Sequence, residues 1–446
     1  MVSQPEPTNL DVDASSGVPG DDTDGLPPTI PPSHWQIVIS RIVTPVKPVW
    51  GRFVNSQALT SILAIIVALV IGAVLIASAD GSVQKTASYL FARPGDFFAA
   101  VWHAVGGAYS ALFQGAVVNV STAHSFGDVI APLMTTIAYS VPLIFAGLGL
   151  MVGFRAGLFN IGGQGQIILG AVVCGYIGFA WHLPIGLHLI VCFIGAFVGG
   201  AAWGFIPGIL KAKTGANEVI VTIMLNSIAV FLLGYLLTLR AFQAPGSSNA
   251  PISPRMDSSA LFPHFFSTPI DLGFILALLA AVGVWWMMER STLGFRIRAV
   301  GENPDAARTA GMNVSLTYMW VMIIAGGLAG LAATSQLLSS ASQQLNVDVA
   351  STFGFDAITV ALLGRSKPLG TVLAGLLFGG MRAGGYLMQS ATGTPIDIIL
   401  VVQSVIVLLI AAPPFVRAIF RLPDSERRSK RLAKEMARAL REATTA

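Results

Sequence analysis

Nine polar side chains sit inside or at the edges of long apolar runs: Asn160, Gln164, Gln166, Asn217, Glu218, Asn226, Gln336, Asp356 and Gln403. Polar groups in lipid are costly and usually face a cavity or another helix. Amides and carboxylates can trade hydrogen bonds with the hydroxyls and ring heteroatoms of a small molecule in passing. Hydrogen bonding between helices, worth about 0.6–2 kcal/mol per pair, is the competing use. The run Asn160-Ile-Gly-Gly-Gln-Gly-Gln166 stands apart, because glycines clustered beside amides point to exposed backbone lining a cavity. Tight backbone packing is the rival there. Asn160, Gln164, Gln166, Asn217, Glu218, Asn226 and Asp356 are therefore the candidate lining of a path for a small polar solute. Covalent chemistry is not expected, because no nucleophile constellation and no metal-spaced histidine pair is present. No metal site or cofactor of the chain's own is expected either.

Those side chains need a membrane to be notable, and the composition supplies one. Of 446 residues, 54% are hydrophobic and 11% charged, with a mean hydropathy of +0.72. Soluble domains carry charge on about a quarter of their residues, so this chain's solvent is largely lipid and its fold class is all-α and polytopic. The net charge of +4 calls for no nucleic-acid partner, since the basic residues fall where cytoplasmic loops are expected. Cys174 and Cys192 both lie in apolar runs and read as small core residues rather than a disulfide.

Spans of about 20 apolar residues cross the hydrocarbon. The clear candidates are Leu59–Ser78, Ile130–Phe154, Ile161–Trp181, Gly186–Leu210, Val219–Leu239, Leu272–Met288, Leu316–Leu337, Gly370–Met388 and Ile396–Ala412, with Thr352–Gly364 as a short tenth. Charge decides whether to count the short one. The segment after Pro414 carries nine Arg and Lys between Arg417 and Arg441, and Arg41, Lys47 and Arg52 flank the first span. Both ends are then cytoplasmic, which needs an even number of spans. Ten spans also put Lys211, Lys213, Arg290, Arg296, Arg298, Arg308, Arg365 and Lys367 inside. Ala79–Val129 and Arg240–Asp271 become outward connections, and Phe97–Val118 within the first is expected to be a helix lying on the outer surface, with a further span as the alternative. Small residues at four-residue spacing, Gly200, Gly204 and Gly208, Gly326 with Gly330, and Gly375 with Gly379, predict close helix packing.

Three domains follow. Residues 1–40 form an acidic, Pro-rich tail expected to be disordered and cytoplasmic; it is no signal peptide, because the first apolar run begins only near Leu59. Residues 41–415 form the transmembrane domain, and 416–446 a basic tail. In that tail Leu432, Met436 and Leu440 predict an amphipathic helix over about Asp424–Ala443 lying on anionic lipid, with contact to a partner subunit as the alternative.

The loop Glu289–Asn313 has its own helix punctuation. Asn303 suits an N-cap, Pro304 the first helical position, Asp305 the positive helix end and Gly311 a left-handed stop. These predict a short helix, Pro304–Ala310, presented as a knob whose Ala306, Ala307 and Ala310 make it thin enough to enter a groove on another protein. An ordinary capped linker helix is the alternative.

The segment S-T-L-G-F-R-I-R-A-V-G-E-N-P-D-A-A-R-T-A-G (Ser291–Gly311) resembles the coupling loop of ABC-importer permeases of the branched-chain amino acid, simple-sugar and nucleoside group. R-A-G-L-F-N-I-G-G-Q-G-Q-I-I-L-G-A (Arg155–Ala171) and the Gly354–Gly380 run G-F-D-A-I-T-V-A-L-L-G-R-S-K-P-L-G-T-V-L-A-G-L-L-F-G-G are similar to further motifs of that group. A-N-E-V-I-V-T-I-M-L-N (Ala216–Asn226) resembles the nucleoside permeases in particular, and the likeness runs from about Leu59 to Ala412. Arg365 and Lys367 depart from it, occupying a turn that is often uncharged. The resemblance implies a type II-like importer permease of the bacterial cytoplasmic membrane. Gly301, Asn303, Pro304, Asp305, Ala306, Ala307, Arg308 and Gly311 would then couple to an ATP-binding subunit that uses ATP and Mg. It also implies a second permease, a distinct paralogue in a heterodimer, and an extracytoplasmic substrate-binding lipoprotein. The lack of a G-x-x-x-x-G-K-[ST] loop in this chain agrees with a separate ATPase. A simple-sugar permease is the near alternative. An ion-coupled secondary transporter is the distant one, and would need a membrane-buried carboxylate pair or discontinuous helices forming an ion site; Asp356, Asp397 and Glu218 are the only candidates, and each is expected close to a membrane face.

Overall fold

The computed structural model describes residues 57–119, 126–246, 250–263, 272–339 and 343–420. The acidic tail and the segment Asp424–Ala443 lie outside them. Where the sequence is apolar over many residues the chain is helical: α1 (Gln57–Ala79), α2 (Gly81–Ala87), α3 (Pro94–Ala116), α4 (Phe126–Arg155), α5 (Gly163–Ala180), α6 (Leu187–Thr214) and α7 (Glu218–Leu236). A strand β1 (Ile252–Arg255) precedes α8 (Leu272–Arg290), α9 (Thr292–Glu302), α10 (Pro304–Thr309) and α11 (Val314–Leu337). Strand β2 (Gln344–Asn346) leads to α12 (Phe353–Leu363), α13 (Pro368–Thr392), α14 (Asp397–Ala411) and α15 (Pro413–Ile419).

Each of the ten expected spans coincides with a helix, but they are not alike. Seven of the described helices (α1, α4, α5, α6, α7, α8 and α11) are long and apolar enough to cross a membrane. The 11-residue α12 and 15-residue α14 are short for that task, and the 25-residue α13 carries Arg382 in its interior. The chain is an all-α, multi-pass membrane protein.

Burial separates a centre from a rim. The most apolar window of α4 is 78% buried and those of α5 and α11 67%, against 22% for α1 and α7. The central helices pack through missing side chains. A methyl group added at Gly200 of α6 would land on the carbonyl oxygen of Gly326 in α11, and one at Gly330 on that of Ala196. The expected small-residue spacing therefore brings these two backbones into direct contact, where dispersion forces replace the hydrophobic drive that lipid cannot supply.

The helix expected to lie on the outer surface, Phe97–Val118, is instead part of α3, which packs lengthwise against α1 and α13. Gly107 faces Thr392, Gly115 sits 2.9 Å (as a hypothetical methyl) from the Gly384 Cα, and Ala116 touches Gly380. The small, buried Ala108, Ala111 and Gly115 form the contact stripe. The Tyr109 hydroxyl also donates to the Leu69 carbonyl of α1.

Strand β1 pairs antiparallel with β2. The buried imidazole of His188 bridges the Ser259 hydroxyl at 2.7 Å and the Ile177 carbonyl at 3.0 Å. Asp257 caps the short turn Ser258–Ala260 and lies outside the spans; its carboxyl is held below the usual range, first by the Ser259 backbone N–H.

Gly200→Ala and Gly326→Ala are each expected to destabilise the folded chain by about 1–3 kcal/mol through overpacking. Gly283→Ala, where an added Cβ meets nothing within 4 Å, is expected to be neutral or mildly stabilising. Thermal unfolding in detergent distinguishes the two; coinciding midpoints would remove backbone contact as the basis of the central packing.

Candidate functional site

The helical ladder breaks between α4 and α5. Residues 156–162 are non-helical, with Gly157 at φ +73°, and their backbone groups need partners that lipid cannot give. Side chains provide them. The fully buried Asn160 accepts from the Gly162 N–H at 2.8 Å and donates to Gln166 Oε1 at 3.1 Å. From α7, Asn226 accepts from the Gly165 N–H and donates to the Ile161 carbonyl, both at 2.9 Å. Thr222 accepts from the Ile161 N–H at 3.2 Å. Glu218 pairs with Lys211 at 2.8 Å. Asn217 is the N-cap of α7, accepting from the N–H groups of Val219 and Ile220.

A second break precedes α12. Residues 347–352 are non-helical, and Ser351 holds a left-handed φ of 42°, a cost that non-glycine residues bear mainly where surroundings enforce it. Gln164 ties this break to the first: its Nε2 donates to the Ser351 carbonyl at 2.7 Å and its Oε1 accepts from the Gly354 N–H at 3.2 Å. The structure thus gathers Asn160, Gln164, Gln166, Glu218 and Asn226 around two facing breaks.

Asp356 stands at the far edge of that junction, beside a residue that sequence reasoning missed. Arg382 of α13 lies 3.5 Å from Asp356 Oδ2, donates to Thr352 Oγ1 at 3.2 Å and Ser351 Oγ at 2.9 Å, and packs over the Phe353 ring at 4.5 Å. Tyr139 of α4 and Tyr386 of α13 stack at 5.8 Å with a 28° interplanar angle, Tyr139 lying 5.9 Å from the guanidinium. Asp356 was expected close to a membrane face. It sits instead against the interior of α13, because 347–352 gives up helical structure before α12 begins. The signal was present: Arg382 is a lone charge within Gly379-Gly-Met-Arg-Ala-Gly-Gly385, and such charges mark function or pairing. Gln403 is buried and lines a cavity of about 240 Å³ with Asp356, Thr359 and Ser404. Among the described residues, no group of three or more His, Cys, Asp or Glu could hold a metal ion.

The Glu289–Asn313 loop folds as its punctuation predicts. Asn303 Oδ1 accepts from the N–H groups of Asp305 and Ala306, both at 3.0 Å, and Gly311 adopts φ +81°. Asp305 pairs with Arg308 at 3.0 Å. Ala307 is buried against Val300 and Val314, while Ala306 and Ala310 are exposed. The knob is connected to the first break. Gly301, at the end of α9, abuts the backbone of Arg155 and Ala156 so closely that a side chain there would strike the Arg155 carbonyl. Arg155 in turn donates to the Ser366 carbonyl at 3.0 Å and approaches Glu289 at 3.9 Å.

Comparison with known proteins fits this arrangement. Residues 133–411 match the family described as the permease component of the branched-chain amino acid transport system. The chain is 36% identical over 316 residues to the guanosine ABC transporter permease protein NupP of Bacillus subtilis, covering 71% of this chain and 88% of that one. It is 32% identical to the glucose ABC transporter permease protein TsgB13 of Haloferax volcanii, with 67% and 82% covered, and 34% identical to the nucleoside ABC transporter permease protein NupB of Lactococcus lactis, with 60% and 76% covered. No solved structure matches. Matched over this length, the chain belongs to that permease family: it is the membrane-embedded, non-catalytic permease component of an ABC importer for a small polar solute.

Proposed function

We propose that the solute is a nucleoside and that the knob Asn303–Gly311 receives the motion of a separate ATP-binding subunit. The observation that carries the cargo is the 36% identity to a guanosine permease along most of both chains. A simple sugar is the second reading, supported by the 32% identity to a glucose permease. In the nucleoside reading, Asn160, Gln164, Gln166, Asn217, Glu218, Asn226 and Asp356 have unequal parts. Asn160, Gln166 and Asn226 hold the first break in shape, Asn217 caps α7, and Gln164 and Asp356 stand nearest the solute.

Energy enters through contact. Ala306 and Ala310 present a thin exposed surface to a groove on the ATP-binding subunit, which uses ATP and Mg. Ala307 fixes the knob to α9 and α11, and Gly301 passes displacement to Arg155 and the break beyond it. Alternating access follows when the break and its partner at 347–352 shift together. The full importer adds a second permease, a distinct paralogue, and an extracytoplasmic lipoprotein that captures the solute. Lys211, Arg296, Arg298, Arg365 and Lys367 support a cytoplasmic knob face in a bacterial cytoplasmic membrane, with both termini on that side.

Deleting this chain is expected to abolish uptake of at least one labelled nucleoside by the cell. Unchanged uptake of every nucleoside, with loss of a sugar instead, would replace the cargo and leave the importer standing. Ala306→Arg is expected to cut uptake at least about tenfold, the equivalent of about 1.4 kcal/mol, with normal levels of the chain in the membrane. Asn303→Ala, which removes the cap at a cost of about 1 kcal/mol, is expected to give a smaller loss. Full uptake by Ala306→Arg would show that the knob does not enter a groove.

A further inference from the structure

We propose that Arg382, Asp356 and the stacked pair Tyr139–Tyr386 form a solute-contact station in the permease path, one that takes a ring face and a vicinal diol together. The inference rests on the reading of the chain as a nucleoside permease and assigns the place of contact within it.

Depth is the first argument. Arg382 lies 14 residues beyond Pro368 and 10 before Thr392 in α13, so at 1.5 Å per residue it is about 21 Å from one end and about 15 Å from the other. A guanidinium at that depth facing acyl chains is strongly disfavoured. Ser351 and Thr352, which bind it, are nonetheless exposed, and Tyr386 is 45% exposed. Polar and half-open at mid-helix, this wall fits a water-filled path and not lipid.

Unused bonding capacity is the second. Asp356 Oδ2 takes both the Thr352 hydroxyl at 2.8 Å and the Arg382 guanidinium at 3.5 Å. Oδ1 takes neither, and as a carboxylate oxygen it is an acceptor suited to a donating hydroxyl. On the other side of Arg382, whose guanidinium lies 5.9 Å from the Tyr139 ring, Tyr386 offers a flat face already aligned with Tyr139. Aromatic faces bind flat rings through stacking with little need for a particular hydrogen-bond pattern. A heterocycle on the tyrosine face and the sugar hydroxyls on the carboxylate would engage the station at once. Arg382 fixes that carboxylate in place and, by neutralising it, leaves the station suited to an uncharged solute.

Maximal uptake and half-saturation separate this station from the lipoprotein, since capture sets the second and passage the first. Tyr386→Leu is expected to lower maximal uptake of the carried nucleoside about tenfold while half-saturation stays within about twofold; Tyr386→Phe is expected to keep near-normal uptake. Asp356→Asn is expected to reduce uptake of the ribonucleoside but not of its 2′,3′-dideoxy counterpart, so that the ratio of the two collapses toward one. A merely structural role would lower both solutes alike, and that outcome, or normal uptake by Tyr386→Leu, would overturn the proposal. Because Asp356→Asn can weaken the fold, chain levels in the membrane and thermal unfolding in detergent are measured beside uptake; a destabilised variant is replaced by Thr352→Val, which removes one ligand of Asp356 and is expected to narrow the same ratio. If the intact cell carries a sugar and no nucleoside, the cargo reading fails on its own, and the same variants tested with that sugar and its deoxy analogue still decide the station.

Discussion

A peptide group inside a bilayer must find its hydrogen bond within the protein, and the structure is organised around two places where a helix does not supply it. Residues 156–162 and 347–352 are non-helical within the bundle. Each adds to its own local bonds partners from elsewhere in the chain: the first Thr222 and Asn226 of α7, the second Gln164. Gln164 is the common member, since it belongs to the start of α5 and bonds the backbone on both sides of Thr352. Its side chain thereby ties the second segment to the helix that begins where the first one ends. A continuous pair of helices would be easier to bury but would offer no polar surface at that depth.

The same constraint explains the glycines. Asn226 can reach the Gly165 N–H because no side chain stands at Gly165, where a methyl group would come 2.7 Å from the Trp203 indole nitrogen. Gly301 plays the corresponding role at the other end, letting α9 rest on the last turn of α4. The chain from Ala307 through Val300 and Gly301 to Arg155 is short and closely packed, and a packed contact transmits displacement better than a solvated one. Arg155 gathers three elements there, touching Ser366 and Glu289 as well as lying under Gly301.

Much of this was legible from residue order, for local reasons. Apolar runs of membrane length became helices, Asn303 and Gly311 bounded the knob, and the Gly200 and Gly326 spacings marked the central contact. Capping and hydropathy depend on neighbours a few residues away. The first break was legible in part, because the Asn160–Gln166 composition suits neither a helix interior nor a loop. What did not show was long-range: Arg382 against Asp356, Tyr139 against Tyr386, and α3 against α13, pairs separated by 26 to more than 200 positions in the chain. Parity of charge made α3 look like a surface helix because counting charges assigns sides only to segments that fully cross.

That α3 lies alongside α1 and α13 bears on how the proposed path would be enclosed. The end of α3 reaches Gly380 and the Thr136 hydroxyl, which donates to the Ala116 carbonyl at 2.6 Å. Gly380 is two residues from Arg382 and Thr136 one turn from Tyr139. The terminal carbonyl of α3 is thus satisfied by the very helix that carries one of the stacked tyrosines, and the small residues of α3 allow α13 to approach it. α3 thus packs on the stretch of α13 that neighbours Arg382, and its small residues and the Arg382–Asp356 pair lie on adjoining parts of one helix: a charged pair inside a bundle needs protein, and not lipid, on its flank.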